Sequence, residues 1–513
     1  MKIIKTKGIL LSTILLVAGH SCVMAQESTS KITASVFYET FDGCCDVGGN
    51  DGVLSDEAER HAAFVTDNEW DKGGSVYRGA QCIRLKGSSN KEARFSLKTP
   101  ITFQEYSSGF MEFRAILWKN SSKSSLYCNL SGSTSSFTKC NIQREQFTSY
   151  KVEFSNIKKI NPTFSTKKDY VYYFLDDIIV YKKNATSTEQ KEAHKIILTG
   201  NFTKEEVGVL NSNLSANTKI TNINALSAIF PENTKLTPGN KNCLIQANAS
   251  SNVSNTENLI LENQCQKLCL YEDFNFHSDC DFTATAISYD RIFKLGDTNP
   301  YYSTVCLPFT IQKSNVPNIN YIGSLSSLWE NIITFKSVNQ ITANEPCIIK
   351  CSSESPFLNL TDVNVNVKAS TGCKKTFSAI PADKTNAITI TGLYSNYVGV
   401  IKNETTGTII NYAFGYSNGA LHSLENGNKV KPFRAVINIE NTQFTSTNGV
   451  KVAFNVEEED INEIESIKVD KSNERVNVYT LQGVCLRKNI PTKEALDGLP
   501  KGCYLINKKK AIK

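Results

Sequence analysis

The stretch YVYYFLDDIIVYKK, residues Tyr170–Lys183, predicts a long strand at the end of the chain's first folded unit. Apolar and aromatic side chains run almost unbroken through it, as expected for a strand. A second strand-like stretch, SVFYETFDGC, opens the same unit at Ser35–Cys44. First and last strands of this kind commonly pair in a β-sandwich and so tie down both ends of a domain. We therefore predict a β-sandwich over residues 30–183.

The composition predicts a mainly β, multidomain protein. The chain has 513 residues, 40% hydrophobic and 10% aromatic, which indicates a globular chain long enough for several domains. Its formal net charge is +6. Three of the lysines lie in the N-terminal leader, so the rest of the chain carries 6 − 3 = +3. A charge that small over this length argues against a nucleic-acid-binding protein.

The N-terminus predicts a secretory signal peptide over residues 1–25. Basic residues precede the apolar run Ile9–Ala18, and small or modest side chains at Val23 and Ala25 suit cleavage after Ala25. Cys22 raises the alternative of a lipoprotein, but the residues before it lack the leucine of a lipobox. The apolar run is too short to span a bilayer, and we expect no transmembrane segment elsewhere.

Residues 192–272 predict a short mixed α/β or solenoid-like module. Thr203 and Glu206 have the spacing of a helix capping box, and Val207, Leu210 and Leu214 share one helix face. Short strands separated by Asn- and Ser-rich turns follow this helix, as is typical of a small solenoid.

The second half of the chain predicts a further β-sandwich over residues 273–456, from strand-length apolar runs with turns between them. The charged run at 457–468 predicts an acidic linker. Residues 469–513 contain three predicted short strands, too few for a sizeable core of their own.

The cysteines and histidines give only weak indications of disulfides, a metal site or catalysis. Outside the leader there are 15 cysteines, and many occupy apolar strand positions, so we expect a few disulfides and mostly buried core thiols. A Cys₃His zinc site in the 265–280 segment is a less favoured alternative. Four histidines outside the leader stand among polar residues, and we expect them at the surface: His61, His194, His277 and His422.

The C-terminus resembles the C-terminal sorting domain of exported Bacteroidetes proteins. That family has a strand with a Gly turn, a Leu-x-x-Leu-Pro-x-Gly-x-Tyr element and a basic last strand, here Lys508–Lys513. The resemblance implies recognition by the type IX secretion machinery of the outer membrane and delivery to the cell surface or the extracellular space. The matching residues of the sorting signal are Gly483, Leu496, Leu499, Pro500, Gly502 and Tyr504.

Two further resemblances concern the folded regions. Residues from about 200 onward are similar to uncharacterised secreted Bacteroidetes proteins, through Tyr289 with Arg291, Thr304–Phe309 and Pro346–Lys350. That family implies no known chemistry. The first unit resembles jelly-roll modules of the carbohydrate-binding or adhesion type, through FYETFDG and FLDDIIVY. This likeness implies a structural calcium ion, bound by oxygen ligands from the first and last strands. The matching carboxylates are Glu39, Asp42, Asp176 and Asp177.

Aromatic residues of the first unit suggest a ligand surface, because aromatic faces suit the apolar faces of sugar rings. The candidates are Trp70, Tyr77, Tyr106 and Trp118, although aromatics in a sandwich often form its core. The sequence contains no recognisable catalytic motif and favours a non-catalytic role. We expect an exported surface protein that binds a glycan or a host-matrix ligand. The alternatives are a secreted hydrolase with an unrecognised site and a structural component of the surface layer.

Overall fold

The computed structural model describes residues 31–512, apart from the ranges given at the end of this paragraph. The predicted signal peptide, residues 1–25, and nearly all of the predicted linker at 457–468 lie outside the described residues. Within the described part, no helix is long and apolar enough to cross a membrane. Ranges without description are 42–43, 45–47, 51–53, 55–68, 80, 119–120, 122, 131–136, 294, 296–301, 330–331, 371–373, 379–386, 399–409, 414–421, 424–428, 441–452, 458–474, 481–484, 492–493, 500–502 and 507–508.

The protein is mainly β and contains several sheets, as predicted. The described residues of the first unit form the strands β1 to β11. Their bounds are Ile32–Glu39 (β1), Trp70–Gly73 (β2), Ser75–Arg78 (β3), Ile83–Lys86 (β4), Arg94–Leu97 (β5), Ile101–Leu117 (β6), Ser125–Asn129 (β7), Thr138–Asn141 (β8), Thr148–Ile160 (β9), Thr163–Ser165 (β10) and Tyr172–Lys183 (β11).

These strands make a two-sheet sandwich with β11 near the middle of one sheet. Strand β11 pairs antiparallel with β6 on one side and with β1 and β4 on the other, and β9 extends the sheet beyond β6. The facing sheet has the order β2-β5-β10-β7-β8. Large side chains fill the space between the sheets, including the fully buried Trp70, Phe95, Phe113 and Tyr173. Burial of this apolar surface is the main stabilising term of the sandwich.

The same sheet continues past the sandwich into the next region through β12. The elements there are α1 (Ser187–Glu192), β12 (Lys195–Asn201), α2 (Lys204–Ser215), β13 (Asn222–Ile229), β14 (Leu244–Ala247), a 3₁₀-helix (Ala249–Ser251), β15 (Leu259–Leu261) and β16 (Gln264–Tyr271).

Strands β12 to β15 are mutually parallel, and β12 pairs antiparallel with β1. The predicted capping box of α2 is confirmed, because the Thr203 hydroxyl accepts from the Glu206 N–H and the Glu206 carboxylate accepts from the Thr203 N–H. Leu210 and Leu214 are buried on the predicted face.

Buried asparagines replace the backbone partners that the turns between parallel strands lack. The Asn217 amide donates to two backbone carbonyls, and its oxygen accepts from the Lys219 and Ile220 N–H groups. Asn242 and Asn258 bond in the same way to backbone groups of β16, and Asn242 also donates to the Phe274 carbonyl beyond that strand. Buried backbone groups need such partners. This explains the asparagine-rich turns and fits the solenoid-like fold expected from the sequence.

The next region supplies strands to the large sheet and forms smaller sheets of its own. Strands β17 and β24 extend the large sheet, β17 parallel to β16. The elements are β17 (Phe282–Asp290), β18 (Tyr302–Val305), β19 (Ile311–Gln312), a 3₁₀-helix (Lys313–Asn315), β20 (Ile319–Trp329), β21 (Ile332–Ser337), β22 (Gln340–Ile341), β23 (Cys347–Cys351), β24 (Val365–Val367), β25 (Lys374–Ser378), β26 (Ala387–Gly392), β27 (Tyr397–Val398), β28 (Ile410–Ala413), β29 (His422–Ser423), β30 (Lys429–Val430), β31 (Ala435–Glu440) and β32 (Ala453–Glu457).

The large sheet crosses two of the predicted domain boundaries. The boundary between 183 and 192 falls where β1 joins β11 to β12, and the one at 272–273 falls between the paired strands β16 and β17. One hydrophobic cluster also combines residues of the solenoid-like region 192–272, such as Leu268, with residues of the following region, such as Phe309. Within the described residues, the three regions are therefore joined by backbone hydrogen bonds and shared packing.

The C-terminal residues form a separate four-stranded sheet in the order β34-β33-β35-β36, where the sequence predicted three strands. Val476, Val478 and Tyr504 are buried in its small core. The four strands of this sheet are Arg475–Thr480 (β33), Cys485–Pro491 (β34), Cys503–Ile506 (β35) and Lys509–Ile512 (β36).

Candidate functional site

The face of the first unit's β11 sheet that points away from the sandwich core, here called the outer face, carries the candidate site. Side chains alternate along β6, so Met111 and Phe113 enter the core while Phe110, Glu112 and Arg114 occupy the outer face. On β11, Ile179 and Tyr181 lie on the same face as Phe110. Apolar and charged side chains are therefore mixed on a surface built from regular strands.

A cleft of about 1370 Å³ opens on the outer face. It is lined by residues of β6, β9 and β12, by Thr33 of β1, by the end of β11, and by the segment from Asn184 into α1. This volume exceeds the roughly 300–1,000 Å³ of a pocket for a drug-sized molecule. The cleft therefore has room for a ligand of several sugar rings.

An irregular pairing of β6 with β9 places Tyr106 at the cleft. Thr102 pairs with Lys159 and Ser107 with Ile157, so four residues of β6 stand opposite a single residue of β9. Such bulges redirect side chains. Phe103 turns inward and is buried, whereas the Tyr106 side chain is 66% exposed with the Lys158 ammonium 5.1 Å from its ring centre.

Close packing of β6 against β11 forms the cleft floor beside Phe110. A Cβ atom on Gly109 would lie 1.9 Å from the Tyr181 carbonyl oxygen, so only glycine allows this approach. Phe110 stacks on Tyr181 with ring centres 4.7 Å apart. The Lys151 ammonium lies 4.1 Å from the centre of the Phe110 ring.

The charged side chains that line the cleft balance one another. Lys151 pairs with Glu153 (3.1 Å) and Lys182 with Glu189 (2.7 Å). The remaining charged lining residues are Lys183 and Glu105. Three lysines and three glutamates give 3 − 3 = 0, so the lining favours neither anionic nor cationic ligands by net charge.

A charged cluster lies next to the cleft on the same face. Register places Tyr38, Ile179, Glu112 and Lys151 in one row across four strands. The Lys195 ammonium lies 2.5 Å from the Asp279 carboxylate and 5.6 Å from the centre of the Tyr38 ring.

Two rings pack against Tyr38 in this cluster. His194 stacks on it with ring centres 4.5 Å apart, and His277 approaches edge-on at 6.4 Å. His277 Nε2 is also 3.1 Å from Asp279 Oδ1.

Within the cluster, the pKa values of two carboxyl groups shift in opposite directions. Burial raises the pKa of Glu112 above its ordinary value; Lys195 opposes this, and the carboxylates of Asp279 and Asp177 add to it. At Asp279, burial also opposes ionisation, but Lys195 and His277 outweigh it and hold the pKa of the carboxyl below its ordinary value. Burial, aided by Lys219 and Lys195, lowers the pKa of His194 to about 4.

The predicted sugar-stacking residues have different fates. Trp70 and Trp118 were wrong choices, because they are 0% and 2% exposed and pack on Phe95 and Phe174. Tyr77 is half-buried against the Arg84 guanidinium, 4.8 Å from its ring centre. Of the four candidates, Tyr106 alone is exposed at the cleft.

The predicted calcium ligands have hydrogen-bonding partners within the protein. One Glu39 oxygen accepts from the Phe41 N–H (2.8 Å) and the other from the Trp70 indole N–H (3.4 Å). Arg114 Nη1 contacts both Asp177 (2.8 Å) and Asp176 (3.3 Å). Asp42 lies outside the described residues. Among the residues described, no group of three or more His, Cys, Asp or Glu side chains is arranged to hold a metal ion. Calcium binding stays a prediction.

The expectation of surface histidines was wrong for two of the four. His194 and His277 are partly buried around Tyr38, and they come from segments that the sequence gave no reason to bring together. His61 and the side chain of His422 lie outside the description. The expectation of buried thiols is confirmed for eight of the twelve cysteines whose side chains the structure describes.

The proposed sorting residues are only partly described. Tyr504 is buried in the core of the C-terminal sheet, with Leu496 and Leu499 packed against that core. Gly483, Pro500 and Gly502 lie outside the described residues.

No family model and no curated protein matches the chain. Among solved structures, it is similar to a single-residue mutant of CBM29-2, a family 29 carbohydrate-binding module (8% identity, 29% of this chain and 94% of that chain, TM-score 0.19). It is also similar to CBM29_1 from Piromyces equi (10% identity, 28% and 89%, TM-score 0.20). A third is the enzymatically active domain of tailspike protein 4 of bacteriophage CBA120 (10% identity, 22% and 19%, TM-score 0.18). At these TM-scores, the likenesses carry no argument for a ligand or an activity.

The position of His194 predicts a pH dependence of stability. Its pKa of about 4 in the folded protein lies below the ordinary 6.5. Between these values the unfolded chain binds a proton that the folded chain does not, so acidification from pH 7 to pH 4 lowers stability. A shift of this size corresponds to at most about 3 kcal/mol. In His194→Gln, urea unfolding followed by tryptophan fluorescence should show a smaller loss between pH 7 and pH 4. Equal losses in both proteins would contradict the assignment.

Proposed function

We propose that this protein is exported to the cell surface or beyond it and binds a neutral glycan in the cleft of the first unit's outer face. The observation that carries this proposal is the two-thirds exposed Tyr106, held by the β6 bulge at the edge of a large cleft. Exposed aromatic faces and balanced polar side chains suit sugar rings, which offer both C–H faces and hydroxyl groups.

The cleft can bind a ligand without any catalytic side chain. Its strands fix the floor, and exposed Lys and Glu side chains at the walls can donate to or accept from sugar hydroxyls. The pre-formed cleft also limits the ordering cost of binding. The hydrolase and the surface-layer component stay hypotheses from the sequence.

Substitution of Tyr106 tests its role as the main sugar-stacking residue. In the full chain, Tyr106→Ala should weaken binding to a neutral polysaccharide that the wild-type protein binds. The expected loss is about tenfold, equivalent to about 1.4 kcal/mol, with unchanged thermal stability. Isothermal titration, with and without calcium, measures the affinity. Tyr170→Ala is the matched control, because Tyr170 is 54% exposed next to the opposite end of β11. Unchanged binding by Tyr106→Ala, or an equal loss in the control, would remove the platform role.

The export proposal requires the C-terminal sheet to act as a sorting signal for outer-membrane secretion machinery. Strands β33 to β36 pair with one another in a sheet of their own, and this sheet has its own small core. The rest of the protein should therefore fold without it.

Deletion of residues 475–513 should leave the protein folded but inside the cell envelope of its native host. Surface protease accessibility and fractionation measure the outcome, with the full chain as reference. Normal surface levels of the truncated protein would contradict the sorting role.

A further inference from the structure

Strand β9 forms an edge of the first unit's sheet. One side of β9 pairs with β6, from Thr148 opposite Ala115 to Phe154 opposite Gly109. Within the part of the chain that the structure describes, no other strand pairs with β9, and no backbone hydrogen bond reaches residues 149–155 from the other side. An edge of this kind presents N–H and C=O groups that can pair with a strand of another chain.

The sequence of this edge is complementary to itself. Residues 149–155 read SYKVEFS, which has nearly the same pattern in both directions about Val152. A second copy that lies antiparallel, with Val152 opposite its own equivalent, brings together aromatic pairs and opposite charges. Directly opposed pairs of these kinds stabilise antiparallel strands. The opposed residues are Ser149 with Ser155, Tyr150 with Phe154, and Lys151 with Glu153.

The charged side chains of this stretch are accessible to a second copy. Lys151 and Glu153 are 50% and 72% exposed on the outer face, and they pair with each other at 3.1 Å within one chain. In the antiparallel arrangement, each would also face the opposite charge of the copy, so the four groups alternate in sign. Val152 and Phe154 pack in the sandwich core. The edge is therefore held in place before a partner binds, which lowers the ordering cost of pairing.

Charge also disfavours the neighbouring registers. Moving the twofold axis by one residue places Lys151 opposite itself or Glu153 opposite itself, and like charges directly opposed destabilise a strand pair. At Asn156 the backbone enters the left-handed region, with φ of 55°, and the pairing with β6 becomes irregular. The regular strand ends there, so the charge pattern and the strand length select one register.

We propose that the protein forms a twofold dimer in which β9 pairs with β9 of a second copy, centred on Val152. Such an interface is isologous, since every contact between the two copies occurs twice. The axis is perpendicular to the sheet and keeps both outer faces on the same side. The two clefts, each lined by Lys151 and Glu153, therefore adjoin across the interface. The dimer does not depend on the proposed glycan binding, because the strand edge alone forms it.

Sedimentation equilibrium of the full chain over a range of concentrations measures dimer formation. The wild-type protein is expected to dimerise reversibly. Because one strand pair makes a small interface, the dissociation constant should lie in the micromolar range. A protein that stays monomeric at the highest concentration that remains in solution would overturn the proposal.

Reversal of charge at two positions tests the register. Lys151→Glu or Glu153→Lys alone places like charges opposite each other twice in each dimer and should weaken dimerisation about tenfold. The double variant Lys151→Glu/Glu153→Lys restores opposite charges at both positions, so its dissociation constant should return to near the wild-type value. Lys168→Glu is the matched control, because Lys168 is exposed in the turn between β10 and β11 and the change in net charge is the same.

Two results would overturn this pairing even where the wild-type protein dimerises. One is single variants that dimerise as tightly as the wild type, and the other is a double variant that stays as weak as the single ones. Hydrogen–deuterium exchange on the wild type needs no variant and decides the matter where a variant does not fold. Exchange in residues 149–155 should slow as the protein concentration rises through the dissociation constant, and unchanged exchange there would rule out the β9 interface.

Discussion

Hydrogen bonding of β1 to β11 on one side and to β12 on the other is the constraint on which the described structure depends. Through β1, the sheet of the first sandwich runs directly into the parallel strands of the solenoid. Ser35 on β1 adds a side-chain tie, because its hydroxyl accepts from the backbone N–H groups of His194 and Lys195. This joint fixes where β12 begins, and therefore where Lys195 meets Asp279 of the loop between β16 and β17.

The cleft and the charged cluster follow from that joint. A sandwich alone would leave its outer face open along the whole length of β11. Continuation of the sheet brings β12 beside β1, and the turn after β16 then reaches back over Tyr38. The ion pair of Lys195 with Asp279 offsets part of the cost of burying the Lys195 side chain, which is 8% exposed. The charged cluster beside the cleft is thus a product of two regions together.

Local features of this fold could be predicted from the sequence, and long-range contacts could not. The apolar run at 170–183 predicted β11, and the spacing of Thr203 and Glu206 predicted the start of α2, because both depend on neighbours in sequence. Asn-rich turns indicated a solenoid but not that its sheet joins the sandwich. Trp70 and Trp118 were misassigned because a strand pattern does not reveal which aromatics face the core. The cluster of Tyr38, His194 and His277 left no local signal, since its members meet only after the sheet has formed. Tyr106 was a correct choice of exposed aromatic, yet the bulge that exposes it depends on the register of β6 with β9.

The central claim is that a neutral glycan occupies the outer-face cleft, and hydrogen–deuterium exchange on the full chain tests it most directly. Exchange is compared with and without saturating amounts of a neutral polysaccharide that the protein binds. The account predicts slower exchange in the β6 bulge at 102–110 and in β9 at 151–155, with the facing sheet β2-β5-β10-β7-β8 unchanged. Protection confined to other parts of the chain, under conditions where binding is saturated, would contradict it.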